Sequence, residues 1–242
     1  GLSNYRKMMV DNMFWESLGN TVVYWISGLI LIICCALLIA CLLNSRFLSN
    51  DSARAFFKTA TFLPNICAAI AMGLIFRMLF DENVGLVNEV IAMTGGAKVP
   101  WLTSTTFSKI PVIILNVWRY TPWFTMILLS GLLNISKDYY EAATVDGANS
   151  AQQFWFITLP SLKNILFFCS VTLTVDMWKL FNESYILPGP GTSNSSLFQY
   201  MYESGFNVFN MGYASAIGVV LILILMVISV IQFAVRRRQG EL

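Results

Sequence analysis

The chain has 242 residues, 57% of them hydrophobic and 12% charged, with a formal net charge of +2. A soluble domain carries about a quarter charged residues, so a surface covered by water is excluded. Disorder and nucleic-acid binding are excluded too, because both need abundant charge. What remains is an integral membrane protein. Histidine is absent, which removes His-based acid–base catalysis and His-containing metal sites. The cysteines Cys34, Cys35, Cys41, Cys67 and Cys169 lie in apolar runs without CxxC spacing, as small buried hydrophobes do. No catalytic residue, metal site or cofactor is assigned to this chain.

A helix needs about 20 apolar residues to cross a bilayer, and five stretches qualify. The first runs from Thr21 to Leu43 and the second from Phe56 to Phe80, with Pro64 in its first half. The third runs from Ile110 to Leu133, with Trp118, Arg119, Tyr120, Pro122 and Trp123 near its middle. The fourth runs from Leu162 to Leu187 and the fifth from Gly212 to Val235. The composition therefore predicts an all-α polytopic membrane helix bundle. Residues 1–20 form an extracytoplasmic N-terminal segment, and residues 21–242 one transmembrane domain. Pro64, Pro111 and Pro122 each remove a backbone hydrogen bond. Two readings stay open for them: carbonyls re-satisfied by neighbouring helices, or hinges in a translocation path.

Cytoplasmic segments carry excess Lys and Arg. With the C-terminus inside, the inner segments hold eight: Arg46, Arg54, Lys58, Lys137, Lys163, Arg236, Arg237 and Arg238. The outer segments then hold four: Arg6, Lys7, Lys98 and Lys109. The bias predicts a cytoplasmic C-terminus. A short polar start outside the membrane, without a signal sequence or an initiating Met, predicts a further transmembrane helix upstream.

Between the third and fourth spans, about residues 137–160, the residues read as a helix–turn–helix on the inner surface. Ser136 or Asp138 can cap the first helix, Glu141 with Ala142 and Ala143 propagates it, and Gly147 can supply a left-handed terminator. Phe154, Trp155 and Ile157 give the second helix an apolar face, and Pro160 opens the next span. Such a hairpin suits either a lipid surface or a groove on a soluble partner.

This loop resembles the "EAA" signature of permease subunits of binding-protein-dependent ABC importers, E-A-A-x3-G-x9-I-x-L-P. Glu141, Ala142, Ala143, Gly147, Ile157, Leu159 and Pro160 fill every position. Asp146-Gly147-Ala148 is similar to the carbohydrate-uptake, maltose-type branch. So are Gly1-Leu2-Ser3-Asn4-Tyr5, Phe14-Trp15, Arg54-Ala55-Phe56-Phe57-Lys58 and Phe62-Leu63-Pro64. The resemblance departs at Asn182, where relatives often have Asp, and at Leu187-Pro188-Gly189-Pro190-Gly191-Thr192, which replaces a T-x-G-G-P-like turn.

The resemblance implies a type I importer permease fold with five spans in this chain and six in the intact subunit. It implies a second homologous permease, two cytoplasmic ATPase subunits and an external solute-binding protein that delivers a sugar. ATP and Mg are bound by the partner ATPases, consistent with the absence of a GxxxxGK[ST] phosphate loop here. Glu141, Ala142, Ala143, Asp146, Gly147, Ile157, Leu159 and Pro160 would couple the spans to the ATPase.

Ionisable groups in spans are functional candidates. Asp176, Lys179 and Glu183 share a helical face at i, i+3 and i+7, as a self-neutralising ladder or as substrate contacts. Arg119 lies at a depth from which it can reach Asp176. A sugar site needs hydrogen-bonding groups beside flat aromatic faces. Asn116, Tyr120 and Trp123 in the third span supply them, as do Trp178, Asn182 and Tyr185 in the fourth; helix packing and membrane-belt anchoring are the competing roles. A secondary transporter or a non-transport scaffold subunit are the alternative functions. An intramembrane enzyme lacks its motifs, having no His, GxSxG or HExxH.

Overall fold

The structure is a computed structural model that describes residues 2–44 and 51–238. Gly1 and Arg46 lie outside the described residues, as do the side chains of Arg54 and Arg238. Every regular element among the described residues is helical. In chain order these are α1 (Ser3–Met9), α2 (Asn12–Asn44), α3 (Asp51–Ile66), α4 (Ala69–Leu79) and α5 (Leu86–Met93). Next come α6 (Lys109–Leu133), α7 (Lys137–Val145), α8 (Ser150–Gln153) and α9 (Leu159–Ser161), the last two joined by a π-helical turn over Phe154–Thr158. The chain ends with α10 (Lys163–Trp178), α11 (Asn182–Ile186), α12 (Leu197–Tyr202), a second π-helical turn over Glu203–Asn207, and α13 (Met211–Arg238).

Four segments among the described residues are long and apolar enough to cross a membrane: α2, α6, α10 continued through α11, and α13. A fifth forms if α3 and α4 count as one broken span. The first span begins at Asn12 rather than near Thr21, because the Asp11 side chain accepts from the Met13 and Phe14 amides and starts the helix there. Its 33 residues make about 50 Å of helix, more than the roughly 30 Å hydrocarbon core requires.

The second span is not continuous. Pro64 sits inside α3, and the helix stops at Ile66, with Ala68 extended at φ −59° and ψ 127° before α4. Pro64 removes one hydrogen bond of the turn before it, whereas the break itself falls after it, at Cys67-Ala68. Pro122, by contrast, lies inside α6 without ending it. The fourth span also breaks, between Trp178 and Asn182. Asp176 and Glu183 therefore do not share one uninterrupted helical face: Asp176 is on α10, and Glu183 is buried on α11.

The chain divides into two compact units, and α2, α6 and α10 each pass from one to the other. The first comprises the described parts of Gly1–Gly28, Cys67–Asn116 and Leu173–Leu242. Its core packs Met8 and Phe14 with Trp178, Leu197, Tyr213, Ala216, Ile217 and Leu221. The segment after α11 folds into this unit, where Ser193, Asn194, Ser195 and Ser196 are buried. A buried loop must have its backbone groups satisfied, and α2 supplies the partners. Asn20 Nδ2 donates to the carbonyls of Thr192 (2.8 Å) and Ser195 (2.9 Å), and the Tyr24 hydroxyl donates to that of Asn194 (2.7 Å). Thr21 Oγ1 accepts from the Leu197 amide at 2.8 Å. Residues 187–192, where the resemblance departs, lead into this buried segment, with Leu187 buried and Pro188, Pro190 and Gly191 exposed.

The second unit comprises the described parts of Leu29–Ile66 and Val117–Thr172. Gly131 is a close-packing point in it, where an added Cβ would meet the side chains of Ile165 and Leu162. Along residues 21–43 of α2 and 216–235 of α13 the exposed side chains are apolar, among them Ile30, Leu38, Leu42, Ile222, Met226, Val230 and Phe233. On spanning helices such faces meet lipid tails.

Candidate functional site: the hairpin between α6 and α10

Ser136 Oγ caps α7 by accepting from the Asp138 amide at 3.3 Å. The helix ends in a Schellman arrangement. The Ala148 amide donates to the Ala143 carbonyl (2.8 Å) and the Gly147 amide to that of Thr144 (3.1 Å), with Gly147 left-handed at φ +83°. This geometry explains the spacing of the signature: Ala143 supplies the carbonyl and Gly147 the residue that can turn without a Cβ penalty. Asn149 then opens α8 with a capping box. Its Oδ1 accepts from the Gln152 amide (2.9 Å), and its own amide donates to Gln152 Oε1 (2.8 Å).

Two contacts rivet the arms together. Tyr140 and Thr158 share a hydrogen bond of 2.9 Å between their hydroxyls, and Gln153 Nε2 donates to Thr144 Oγ1 at 2.9 Å. The π-helical turn over Phe154–Thr158 changes the expected face. An i→i+5 turn inserts one extra residue, and the strongly exposed pair is Trp155 (61%) and Phe156 (79%), while Phe154 and Ile157 are half-buried. Glu141, Ala142 and Asp146 are exposed, Ala143 and Leu159 are half-buried, and Pro160 is exposed. Asp146, Gly147, Ala148, Gln152 and Phe156 line a cavity of about 240 Å³ at the hairpin tip. The tip therefore presents carboxylates beside uncovered apolar groups, Tyr139 and Val145 included. Of the riveting residues, Tyr140, Thr144, Gln153 and Thr158 escaped the sequence reading. Their only signal is polar spacing across a turn whose geometry must first be known.

The other candidates are distributed along α6, α10 and α11. Asn116 is buried, and neither polar atom of its side chain has a hydrogen-bond partner among the described residues. Arg119 lies over the Tyr120 ring at 5.4 Å, and Trp123 is half-exposed on the wall of an apolar cavity of about 520 Å³ with Phe62, Met126 and Ile165. Lys179 pairs with Asp176 at 3.8 Å. Trp178 is buried against Trp25, ring centroids 6.1 Å apart, and its Nε1 has no partner among the described residues. Asn182 is half-buried, and Tyr185 is exposed and stacks on Phe181. A node absent from the sequence reading joins three helices: Trp25 Nε1 and Gln232 Nε2 both donate to Thr174 Oγ1, each at 3.0 Å.

Residues 28–241 match the family described as the binding-protein-dependent transport system inner membrane component. The chain belongs to this family. It is a permease, the membrane-embedded transport subunit of an ABC importer, without catalytic activity of its own. The permease is 33% identical over 236 residues to the arabinooligosaccharides transport system permease protein AraP of Halalkalibacterium halodurans, covering 96% of this chain and 73% of that one. It is 32% identical over 246 residues to the lactose transport system permease protein LacF of Rhizobium radiobacter, covering 99% and 81%. Its fold is similar to that of a chain in the crystal structure of a bacterial alginate ABC transporter in complex with an alginate pentasaccharide-bound periplasmic protein. The TM-score is 0.88 at 21% identity, covering 98% of this chain and 83% of that one.

Proposed function

We propose that the permease moves a sugar or oligosaccharide through the bacterial cell membrane, with the α7–α8 hairpin seated in a cleft of a cytoplasmic ATPase subunit. A second permease, two ATPases that bind ATP and Mg, and an external binding protein complete the importer. The observation that carries the reading is the hairpin itself: a turn fixed by Gly147 and two riveting bonds, with Glu141, Asp146, Trp155 and Phe156 uncovered. A partner groove would cover the apolar groups and pair the carboxylates. Closure of the ATPase dimer on ATP favours one spacing of two such hairpins, and that differential affinity shifts the spans between inward- and outward-facing states.

The sugar assignment rests on two supports. Relatives carry arabinooligosaccharides and lactose in their names. Within the spans, Asn116 and Trp178 hold buried polar atoms that lack protein partners among the described residues, as groups that bind hydroxyls do. Asn116, Arg119, Tyr120, Trp123, Asp176, Trp178, Lys179, Asn182 and Tyr185 are the proposed pathway.

The test is reconstitution of the permease with its ATPase and binding protein in lipid vesicles. Gly147→Asp is expected to leave the subunits co-purifying and to cut sugar uptake more than tenfold, with hydrolysis no longer stimulated by loaded binding protein. Uptake at the wild-type rate would overturn the coupling assignment.

A further inference from the structure

For a helix surrounded by water, α5 is turned inside out. Its Asn88 is fully buried, while Leu86, Val90 and Met93, at i, i+4 and i+7, stand 65%, 59% and 84% exposed along one stripe. The buried amide is satisfied at every atom. Asn88 Nδ2 donates to the carbonyls of Glu82 (3.1 Å) and Val99 (2.9 Å), and Oδ1 accepts from the Val99 amide and from Trp101 Nε1, each at 3.0 Å. These bonds fix the rotation of α5 and hold the apolar stripe outward.

Trp101 also sets the depth of the helix. Its ring meets Phe80, the residue after α4, with centroids 5.7 Å apart, and Phe107, two residues before α6, at 6.0 Å. The indole thus lies where α4 ends and the α6 span begins, the level at which aromatic belts sit. Through Asn88 it ties α5 to that level. The charged residues of 81–108 are Asp81, Glu82, Glu89 and Lys98, and each is engaged within the segment. Asp81 Oδ1 accepts from the amides of Asn83 and Val84, Glu82 Oε2 accepts from the Thr103 hydroxyl, and Lys98 pairs with Glu89 at 3.0 Å.

We propose that α5 is an interfacial anchor whose Leu86, Val90 and Met93 stripe lies among phospholipids, at the boundary between headgroups and acyl chains. The inference needs only that the spans cross a bilayer, and it is independent of what is transported. A contiguous apolar stripe is rare on a surface that faces water, and at the depth of Trp101 the neighbours are lipids. A soluble partner is selected and steered by charge, whereas the charges here are spent on one another. Anchored in this way, α5 holds the connection between α4 and α6 at constant depth while the spans move.

The experiment uses the full chain in its purified importer complex, in phosphatidylcholine vesicles, with its own cysteines replaced by alanine. An environment-sensitive fluorophore is attached at Val90→Cys, at Met93→Cys or, as a control on the exposed segment beside Lys98, at Ala97→Cys. Lipids brominated near the carbonyl end of the acyl chain are expected to quench the two stripe probes about twofold or more, and lipids brominated near the terminal methyl to quench them less. The Ala97 probe is expected to answer to aqueous iodide instead. Adding saturating binding protein should leave the lipid quenching of the stripe unchanged. Stripe probes that answer only to iodide would place the stripe in water, and probes that answer to neither quencher would place it under another subunit. Either result, or lipid quenching abolished by binding protein, would overturn the anchor.

Discussion

Asp11 sits between α1 and α2 and gathers four donors. The Tyr200 hydroxyl donates at 2.6 Å, the Tyr213 hydroxyl and the Phe14 amide donate as well, and the Met13 amide donates at 3.0 Å. Partial burial pushes its carboxyl up, but the hydrogen bonds from the two tyrosines and two amides outweigh this and hold it below its ordinary 3.8. Burial, reinforced by the nearby carboxylate, pushes Tyr200 up to about 12. A depressed carboxyl stabilises the fold above its ordinary value and loses that contribution as pH falls through the depressed one. A raised phenol keeps its contribution below about 10 and loses it as pH rises towards about 12. Asp11→Asn is therefore expected to cost about 1 kcal/mol at neutral pH, given the site's partial exposure. Thermal unfolding in detergent should show the gap to wild type closing as pH drops below about 3.8. A gap that is independent of pH would sink the assignment. None of this was readable from the residues, because Asp11 is separated from Tyr200 and Tyr213 by nearly the whole chain. Gly147 was readable, since a left-handed terminator acts within one turn of its own helix.

Element existence followed from hydropathy, and element continuity did not. α2, α6 and α13 lie where apolar runs place them, because about 20 apolar residues have one solution in lipid. The breaks at Cys67-Ala68 and Lys179–Phe181 needed the fold. Pro64 and Pro122 both lie inside apolar runs, yet α3 ends shortly after the first and α6 continues through the second. What α4 packs against is equally invisible in sequence. A Cβ on Gly73 would come within 2.7 Å of Ile186 Cγ2, so α4 and α11 approach through this glycine. Ile186 is β-branched and stiff, and cannot swing aside cheaply. Gly73→Ala is expected to destabilise the protein by about 1–3 kcal/mol, and Ile186→Ala in the same chain to recover much of that loss. A double-mutant cycle on unfolding midpoints measures the coupling. Additive losses would mean that the two helices do not meet here.

At the scale of the whole molecule, the sparse charges set direction. Eight Lys and Arg residues fall in one set of connecting segments and four in the other. The inside-negative potential of a bacterial membrane adds about 2.3 kcal/mol per charge per 100 mV to the preference for cations inside. The same potential opposes carrying the Arg236–Arg238 cluster outward. The proposed orientation thus places the hairpin tip in the cytoplasm and α5 outside, which labelling can test directly. Val145 on the hairpin is 89% exposed and Val84 before α5 is 79% exposed, so a cysteine at either reports access rather than packing. In a chain whose own cysteines are replaced by alanine, Val84→Cys is expected to react with a membrane-impermeant maleimide in intact cells. Val145→Cys should stay protected there and react in inverted vesicles. The opposite pattern would reverse the orientation and remove the hairpin from the compartment that holds ATP.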